Sequence, residues 1–170
     1  MADPSGTDLL PGEVIRILSF RDSAAVVLKA DGKRFLIFVG PYEAEAIKRE
    51  MRGVRVERPL THDLVRYILT GFDIQVDKVV VSSIVNNIFC ATLVLSRGGD
   101  ESGGTPEVLR LDIRASDAII LALKTGNQIW ITRRVLDAVE DVTEALAEID
   151  RQFRGAQDDD DLGEFGTEEE

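Results

Sequence analysis

A strand that passes directly into a helix, with no loop between them, constrains the fold of this chain more than any other feature. Residues 108–113 have the pattern of a strand, and an apolar helix is predicted over residues 116–124. Arg114, Ser116 and Asp117 fill the junction. Because a helix start carries unpaired N–H groups and the positive end of the macrodipole, the junction predicts a place that can hold an anion such as phosphate.

A second junction of the same kind lies earlier in the chain. Residues 14–28 and 35–39 are predicted strand segments around a hairpin turn, and a helix begins at Pro41 with Glu43 in its first turn. Superposing the two junctions places Glu43 on Asp117. The sequence therefore predicts an internal ββα duplication, for which convergent helix-start chemistry is the alternative explanation.

A third helix is predicted between the two units, over residues 62–70. Thr61 is its predicted N-cap and Gly71 its predicted C-terminal stop. A short final strand is predicted over residues 128–131. Together the elements predict an α+β fold, with a two-layer mixed β-sheet and helices mainly on one face.

One more helix is predicted over residues 133–154, beyond a body at residues 12–132. Its apolar residues recur at steps of four and three, as in a heptad seam. A seam of this kind packs either against a second copy of the chain, giving a homo-oligomer, or within its own domain. Residues 1–11 are predicted to be a flexible segment and residues 155–170 a disordered acidic tail. The seam residues are Val135, Val139, Val142, Leu146, Ile149 and Phe153.

Charge is unevenly distributed along the chain. The net charge is −11, but residues 140–170 hold 13 acids and two arginines, which leaves 18 acids and 18 bases in residues 1–139. A nucleic-acid partner is therefore not excluded, although phosphate binding normally relies on Lys and Arg. Residues 48–58 form a basic segment with five bases and two acids, for which a solvated surface is the alternative reading. The acidic tail is predicted either to contact basic surfaces or to keep the molecule soluble.

No feature of the sequence predicts a membrane partner. No apolar run approaches the ~20 residues that a membrane helix needs. The first residues lack the basic and apolar regions of a secretory signal. We therefore expect a cytoplasmic protein.

Three motifs together resemble the bifunctional nuclease family. They are residues 39–47 (VGPYEAEAI), 58–64 (RPLTHDL) and 111–124 (LDIRASDAIILALK), in the family's order and at about its spacing, and the resemblance extends over residues 12–140. Ala115 departs from the pattern, since the family has proline there, so the turn is less rigidly preset. The resemblance implies a compact mixed α and β fold and nuclease activity on DNA and RNA.

The motifs contain the residue types that phosphodiester hydrolysis needs, namely groups that activate a nucleophile, stabilise phosphoryl charge and protonate the leaving oxygen. The catalytic candidates are His62, Asp63, Asp117 and Glu43. The three carboxylates are also the candidate ligands of a divalent metal such as Mg²⁺ or Mn²⁺. The candidate nucleic-acid-binding residues are Arg58, Arg114, Ser116, Arg55 and Arg52.

Two interpretations of these residues stay open. In the first, the protein is a nuclease of low sequence specificity. In the second, it is a non-enzymatic oligomeric interaction or regulatory module, in which Ser116, Thr61 and the first-turn acids only cap helices. Acids in a first turn are favoured by ~0.3–1 kcal/mol whatever the protein does.

Overall fold

The computed structural model describes residues 8–98 and 105–160, which form one seven-stranded sheet and five helices. The strands are β1 (Leu9–Ser19), β2 (Ala24–Ala30), β3 (Lys33–Val39), β4 (Ile74–Val85), β5 (Ile88–Arg97), β6 (Glu107–Arg114) and β7 (Ile129–Thr132). The helices are α1 (Pro41–Arg52), α2 (Thr61–Gly71), α3 (Ala115–Thr125), α4 (Arg133–Ala138) and α5 (Thr143–Asp160). This arrangement confirms the predicted α+β fold.

The strand order is β3-β2-β1-β7-β4-β5-β6, which sets two similar halves on either side of β7. Each half is an antiparallel three-stranded meander that leads into a helix, β1-β2-β3-α1 and β4-β5-β6-α3. β7 pairs antiparallel with β1 and parallel with β4, so the sheet is mixed, as predicted. The repeated unit therefore has three strands rather than the two that the sequence predicted.

The difference in strand number arises at residues 20–23. The segment 14–28 was expected to be one strand, but the N–H of Phe20 donates to the carbonyl of Ser23 at 2.9 Å and closes a turn there. The two arms of this hairpin pair from Ser19 and Ala24 onward. A short polar run between two apolar segments is the signal of this turn.

The core lies between the sheet and a layer formed by α1 and α3. Alternate residues of the strands, such as Val26 and Val79, are buried together with Ile47 of α1 and Ile119 of α3. The residues that follow Glu43 and Asp117 are also equivalent in burial, because Ala44 and Ala118 are both enclosed in this layer. α1 and α3 end alike, at glycines in the left-handed conformation, Gly53 and Gly126. α2 packs on α3 and contributes Leu69 to the core.

The other face of the sheet is covered by α5 near β1 and β2. Val27 is buried although its neighbours Val26 and Leu28 point into the main core. Arg16 is the cross-strand partner of Val27, so both side chains point to the same face. Since Arg16 pairs with Asp150 of α5 at 2.6 Å, α5 lies on that face.

The predicted single helix over residues 133–154 is wrong, because two helices occupy this region. α4 ends at Ala138, and the carbonyl of the next residue, Val139, accepts a hydrogen bond from Lys33. The carboxylate of Asp141 then accepts the N–H of Thr143 at 3.0 Å and starts α5. The heptad positions on either side of this break therefore do not form one continuous seam.

Both predicted terminal boundaries also differ from the structure. β1 starts at Leu9, which pairs with Thr132 of β7, so residues 8–11 are not a flexible segment. α5 continues to Asp160, so residues 155–160 of the predicted tail are helical. Residues 1–7 and 161–170 lie outside the described residues. Among the described helices, none has the length and apolar character needed to cross a membrane.

The packing of α5 predicts that two of its apolar residues contribute differently to the free energy of unfolding. Leu146 is 3% exposed and Ile149 is 39% exposed. We expect Leu146→Ala to lower the free energy of unfolding by roughly 2–4 kcal/mol, because it leaves a cavity. Ile149→Ala should cost under about 1 kcal/mol. Urea unfolding measures both, and equal losses would contradict this account of how α5 packs.

Candidate active site

Three helices start with the same local arrangement, an extended residue followed by an acid at the third helical position. The extended residues are Gly40, Leu60 and Arg114, and the acids are Glu43, Asp63 and Asp117. The positive end of a helix macrodipole favours an acid at this place. The predicted caps Thr61 and Ser116 are wrong, because both residues lie inside their helices and neither accepts a capping hydrogen bond.

Two of these acids meet at a single arginine. Arg114 Nη1 lies 2.9 Å from Glu43 Oε1, and Arg114 Nε lies 2.9 Å from Asp117 Oδ2. His62 Nε2 lies 3.0 Å from Asp117 Oδ1. Glu43, Arg114, Asp117 and His62 therefore form a continuous hydrogen-bonded chain from three helix starts, named here the junction cluster.

The sheet must curl to bring this cluster together, because β3 and β6 are its two outer strands. Phe35 of β3 stacks on Phe89 of β5 with ring centroids 6.3 Å apart, which shows the two ends of the sheet approaching each other. A cleft of about 240 Å³ lies between the two junctions, lined in part by Glu43, Arg114 and the buried Ser116. The duplicated strand-to-helix turns thus face one another.

The electrostatics of the junction cluster keep Asp117 ionised. Burial raises the pKa of Asp117, but hydrogen bonds from Arg114 and His62 outweigh burial and hold this pKa below its usual value. An ionised Asp117 can only accept, so Nε2 of His62 carries a proton, and whenever the ring is neutral its free base is Nδ1. The side chain of Arg114 is 64% exposed and can contact a ligand while it stays paired.

Asp63 belongs to a different cluster. Lys124 of α3 donates to Asp63 Oδ1 at 2.5 Å and to Glu50 of α1 at 2.6 Å, while Asp63 Oδ2 accepts the N–H of Leu60 at 2.9 Å. The side chain of Lys124 is 8% exposed. The hydrogen bond from Lys124 is the main reason that the pKa of Asp63 lies below its usual value. Burial lowers the pKa of Lys124, but its bonds to Asp63 and Glu50 outweigh burial and raise this pKa overall.

The three candidate metal ligands do not converge. Glu43 and Asp117 share Arg114, whereas Asp63 is bound to Lys124. Among the described residues, no three of His, Cys, Asp and Glu are placed to hold a metal ion. The guanidinium bridges the two junction carboxylates, so this side-chain arrangement does not fit a metal. The structure therefore does not bring the candidate ligands Glu43, Asp63 and Asp117 together at one place.

The basic segment lines a second and larger cleft, of about 460 Å³. It lies between the end of α1, residues 53–60, the first turns of α2 and the end of α3, and Arg55 is among its lining residues. Arg52 and Arg58 are exposed beside it but do not line it. Arg66, Tyr67, Glu50 and Lys124 also line this cleft, although none of them was among the sequence-based site candidates. A lysine in the last turn of a helix is explained by the macrodipole alone, so Lys124 carried no functional signal.

The amino-acid sequence is similar to those of known proteins. A family model described as the bifunctional nuclease domain matches residues 26–144. An uncharacterized protein of Mycobacterium tuberculosis is 31% identical over 124 residues, which cover 72% of this chain and 70% of that protein. Bifunctional nuclease 1 of Oryza sativa subsp. indica is 30% identical over 126 residues, 71% of this chain and 37% of the rice protein. Bifunctional nuclease 2 of Oryza sativa subsp. japonica is 27% identical over 112 residues, 64% of this chain and 33% of the rice protein.

The buried position of Lys124 predicts that its loss is costly. Lys124→Met leaves Asp63 and Glu50 close together without their shared cation, so we expect the free energy of unfolding to fall by roughly 3 kcal/mol. Lys29→Met, at an exposed lysine of β2, should change it by less than about 0.5 kcal/mol. Urea unfolding at pH 7 measures both variants. A change for Lys124→Met as small as that for Lys29→Met would show that the ion pairs of Lys124 contribute little to stability.

Proposed function

The chain belongs to the bifunctional nuclease domain family, and on this basis we propose that it is a nuclease of low sequence specificity that hydrolyses phosphodiester bonds in DNA and RNA. The observation that supports this proposal best is the junction cluster. A histidine held by a carboxylate and an exposed arginine held by two carboxylates belong to one hydrogen-bonded chain, and the arginine lines the smaller cleft. These are the groups that phosphoryl transfer from a sugar-phosphate backbone requires.

His62 acts as the general base in this proposal. Asp117 fixes the imidazole with the proton on Nε2, so Nδ1 can remove a proton from an attacking water. The imidazolium that results is stabilised by the ionised Asp117 and can return the proton to the leaving oxygen. Only one of these two proton transfers needs a direct contact with His62, because the other can pass through a water molecule. Asp117 is therefore a positioning residue for His62.

Arg114 supplies the positive charge at the scissile phosphate. Its side chain extends to solvent from the first residue before α3, where a phosphate would also face the positive end of the helix macrodipole. Glu43 and Asp117 hold the guanidinium in one orientation, which lowers the entropy lost when a phosphate binds. Asp63 has a positioning role instead, because it fixes the first turn of α2 that carries His62.

A nuclease assay with matched variants tests this proposal. Single-stranded DNA and RNA are incubated with wild type, His62→Gln, Asp117→Asn and, as a control, Asp112→Asn at an exposed position of β6. Loss of general acid–base catalysis should lower the cleavage rate at least a hundredfold for His62→Gln, and Asp112→Asn should match wild type. Assays run with and without Mg²⁺ or Mn²⁺ establish the metal requirement.

The same experiment contains its own test for contamination. All variants are purified in the same way and checked for folding by circular dichroism and urea unfolding. Equal cleavage by wild type, His62→Gln and Asp117→Asn would show that the activity comes from another site or another protein, and the proposal would then be abandoned.

We further propose that the acidic C-terminal residues compete with nucleic acid for the neutral body of the protein. Residues 155–170 contain eight carboxylates and no lysine or arginine. Deleting residues 161–170 should tighten oligonucleotide binding, and the gain should fade between about 50 and 200 mM salt because exposed charges are screened. Fluorescence anisotropy measures both affinities. An unchanged affinity at every salt concentration would leave solubility as the role of these residues.

A further inference from the structure

The junction cluster alone cannot account for affinity toward a polyanion. It contains one guanidinium and two carboxylates, and His62 is neutral when it acts as a base. The positive charge of Arg114 is therefore already balanced before any phosphate arrives. Because phosphate contacts to Lys and Arg dominate nucleic-acid affinity, other cations must lie near the cluster.

The larger cleft contains such cations. Arg49, Arg55 and Arg66 line it, and among the described residues none of the three forms an ion pair. Lys124, in contrast, is fully engaged by Glu50 and Asp63. The cleft thus contains the ion pairs of Lys124, which are fixed, and three arginines that are available to an anion.

Arg66 and Tyr67 add a feature that a general basic surface does not have. The guanidinium of Arg66 lies over the Tyr67 ring, 4.9 Å from its centroid, and the Nε of Arg66 is enclosed without a hydrogen-bond partner in the described structure. Leaving a buried donor unpaired lowers stability, so the fold holds Arg66 in this position although the position is unfavourable for its Nε. Tyr67 itself is 51% exposed and also lines the cleft. An arginine stacked on a half-exposed aromatic ring is the combination that binds unpaired bases and their phosphates.

The two sites are separated by a distance that suits a short stretch of one strand. Asp117 and Lys124 lie seven residues apart on the same face of α3, which is about 10 Å along a helix. The first turn of α2 spans them, since His62 contacts Asp117 and Asp63 contacts Lys124. At about 3.4 Å per stacked nucleotide, this separation corresponds to roughly three nucleotides.

We propose that this cleft binds a single-stranded segment of the substrate a few nucleotides from the scissile bond. Arg49, Arg55 and Arg66 contact its phosphates, and Tyr67 stacks on one of its bases. The inference rests on the proposed nuclease function and names its substrate as single-stranded nucleic acid. A duplex is excluded from this mode because its bases are already stacked and cannot reach a ring inside a cleft.

The test measures binding and hydrolysis separately. Fluorescence anisotropy with a 12-nucleotide single strand and with the matching duplex is carried out in the His62→Gln background, where cleavage does not interfere. Tyr67→Leu should weaken single-strand binding roughly tenfold or more and duplex binding less than twofold. Arg66→Gln should lower the slope of log affinity against log salt by about one.

Matched controls lie outside the cleft. Phe72→Leu removes an exposed aromatic at the far end of α2, and Arg21→Gln removes an exposed arginine between β1 and β2. Both should bind like the parent protein. The proposal is overturned if the parent does not bind single strands, if Tyr67→Leu binds them like the parent, or if single-strand and duplex binding fall equally.

Hydrolysis of a minimal diester distinguishes this inference from the proposed function. Bis(p-nitrophenyl) phosphate carries one phosphodiester and no neighbouring nucleotide, so Tyr67→Leu and Arg66→Gln in the wild-type background should lose less hydrolysis rate on it than on the 12-nucleotide single strand. Equal losses on the two substrates in both variants would mean that they disturb the junction cluster, and the cleft assignment would be withdrawn. If His62→Gln cleaves normally while Tyr67→Leu still loses single-strand binding, the proposed reaction centre fails and the binding cleft stands.

Discussion

The ammonium group of Lys124 is the interaction on which the site depends. Its side chain is almost fully buried, and the ammonium group joins Glu50 of α1 and Asp63 of α2 to its own helix, α3. Asp63 and His62 are neighbours in the first turn of α2, so fixing one residue fixes the direction of the other. Because Lys124 and Asp117 are two helical turns apart on α3, the same placement brings His62 within 3.0 Å of Asp117.

The duplicated fold explains why two acids share one arginine. Glu43 and Asp117 occupy the same position in the two halves, and the residue before each helix is Gly40 in one half and Arg114 in the other. A side-chain carbon on Gly40 would lie 2.5 Å from the Glu43 carboxylate, which therefore folds back over the glycine. The single arginine then reaches across to both acids. This asymmetry turns two equivalent helix starts into one polar cluster.

Local sequence patterns predicted much of the fold. The features that they missed depend on contacts between residues that are far apart in sequence. The two strand-to-helix junctions, α2, β3, β6 and β7 follow from alternation, turn residues and helix stops, and the equivalence of Glu43 and Asp117 was visible from their spacing. The break before α5 could not be predicted, because the heptad spacing of apolar residues continues through Val139. The carboxylate of Asp141 nevertheless starts a new helix. The separation of Asp63 from the other acids depends on Lys124, which is 61 residues away in sequence. Arg66 and Tyr67 gave no signal, because single charged and aromatic residues on a helix surface are common.

In the proposed function, His62 lies in the reaction centre with its proton held on Nε2 by Asp117. The chain contains a single histidine, so the imidazole nitrogens give an unambiguous ¹⁵N NMR signature. At a pH where the imidazole is neutral, the free protein should show the Nε2-protonated tautomer. Saturation with a cleavage-resistant phosphorothioate single strand should then shift the Nδ1 resonance. A neutral ring protonated on Nδ1, or imidazole resonances that do not move at saturation, would contradict this role of His62.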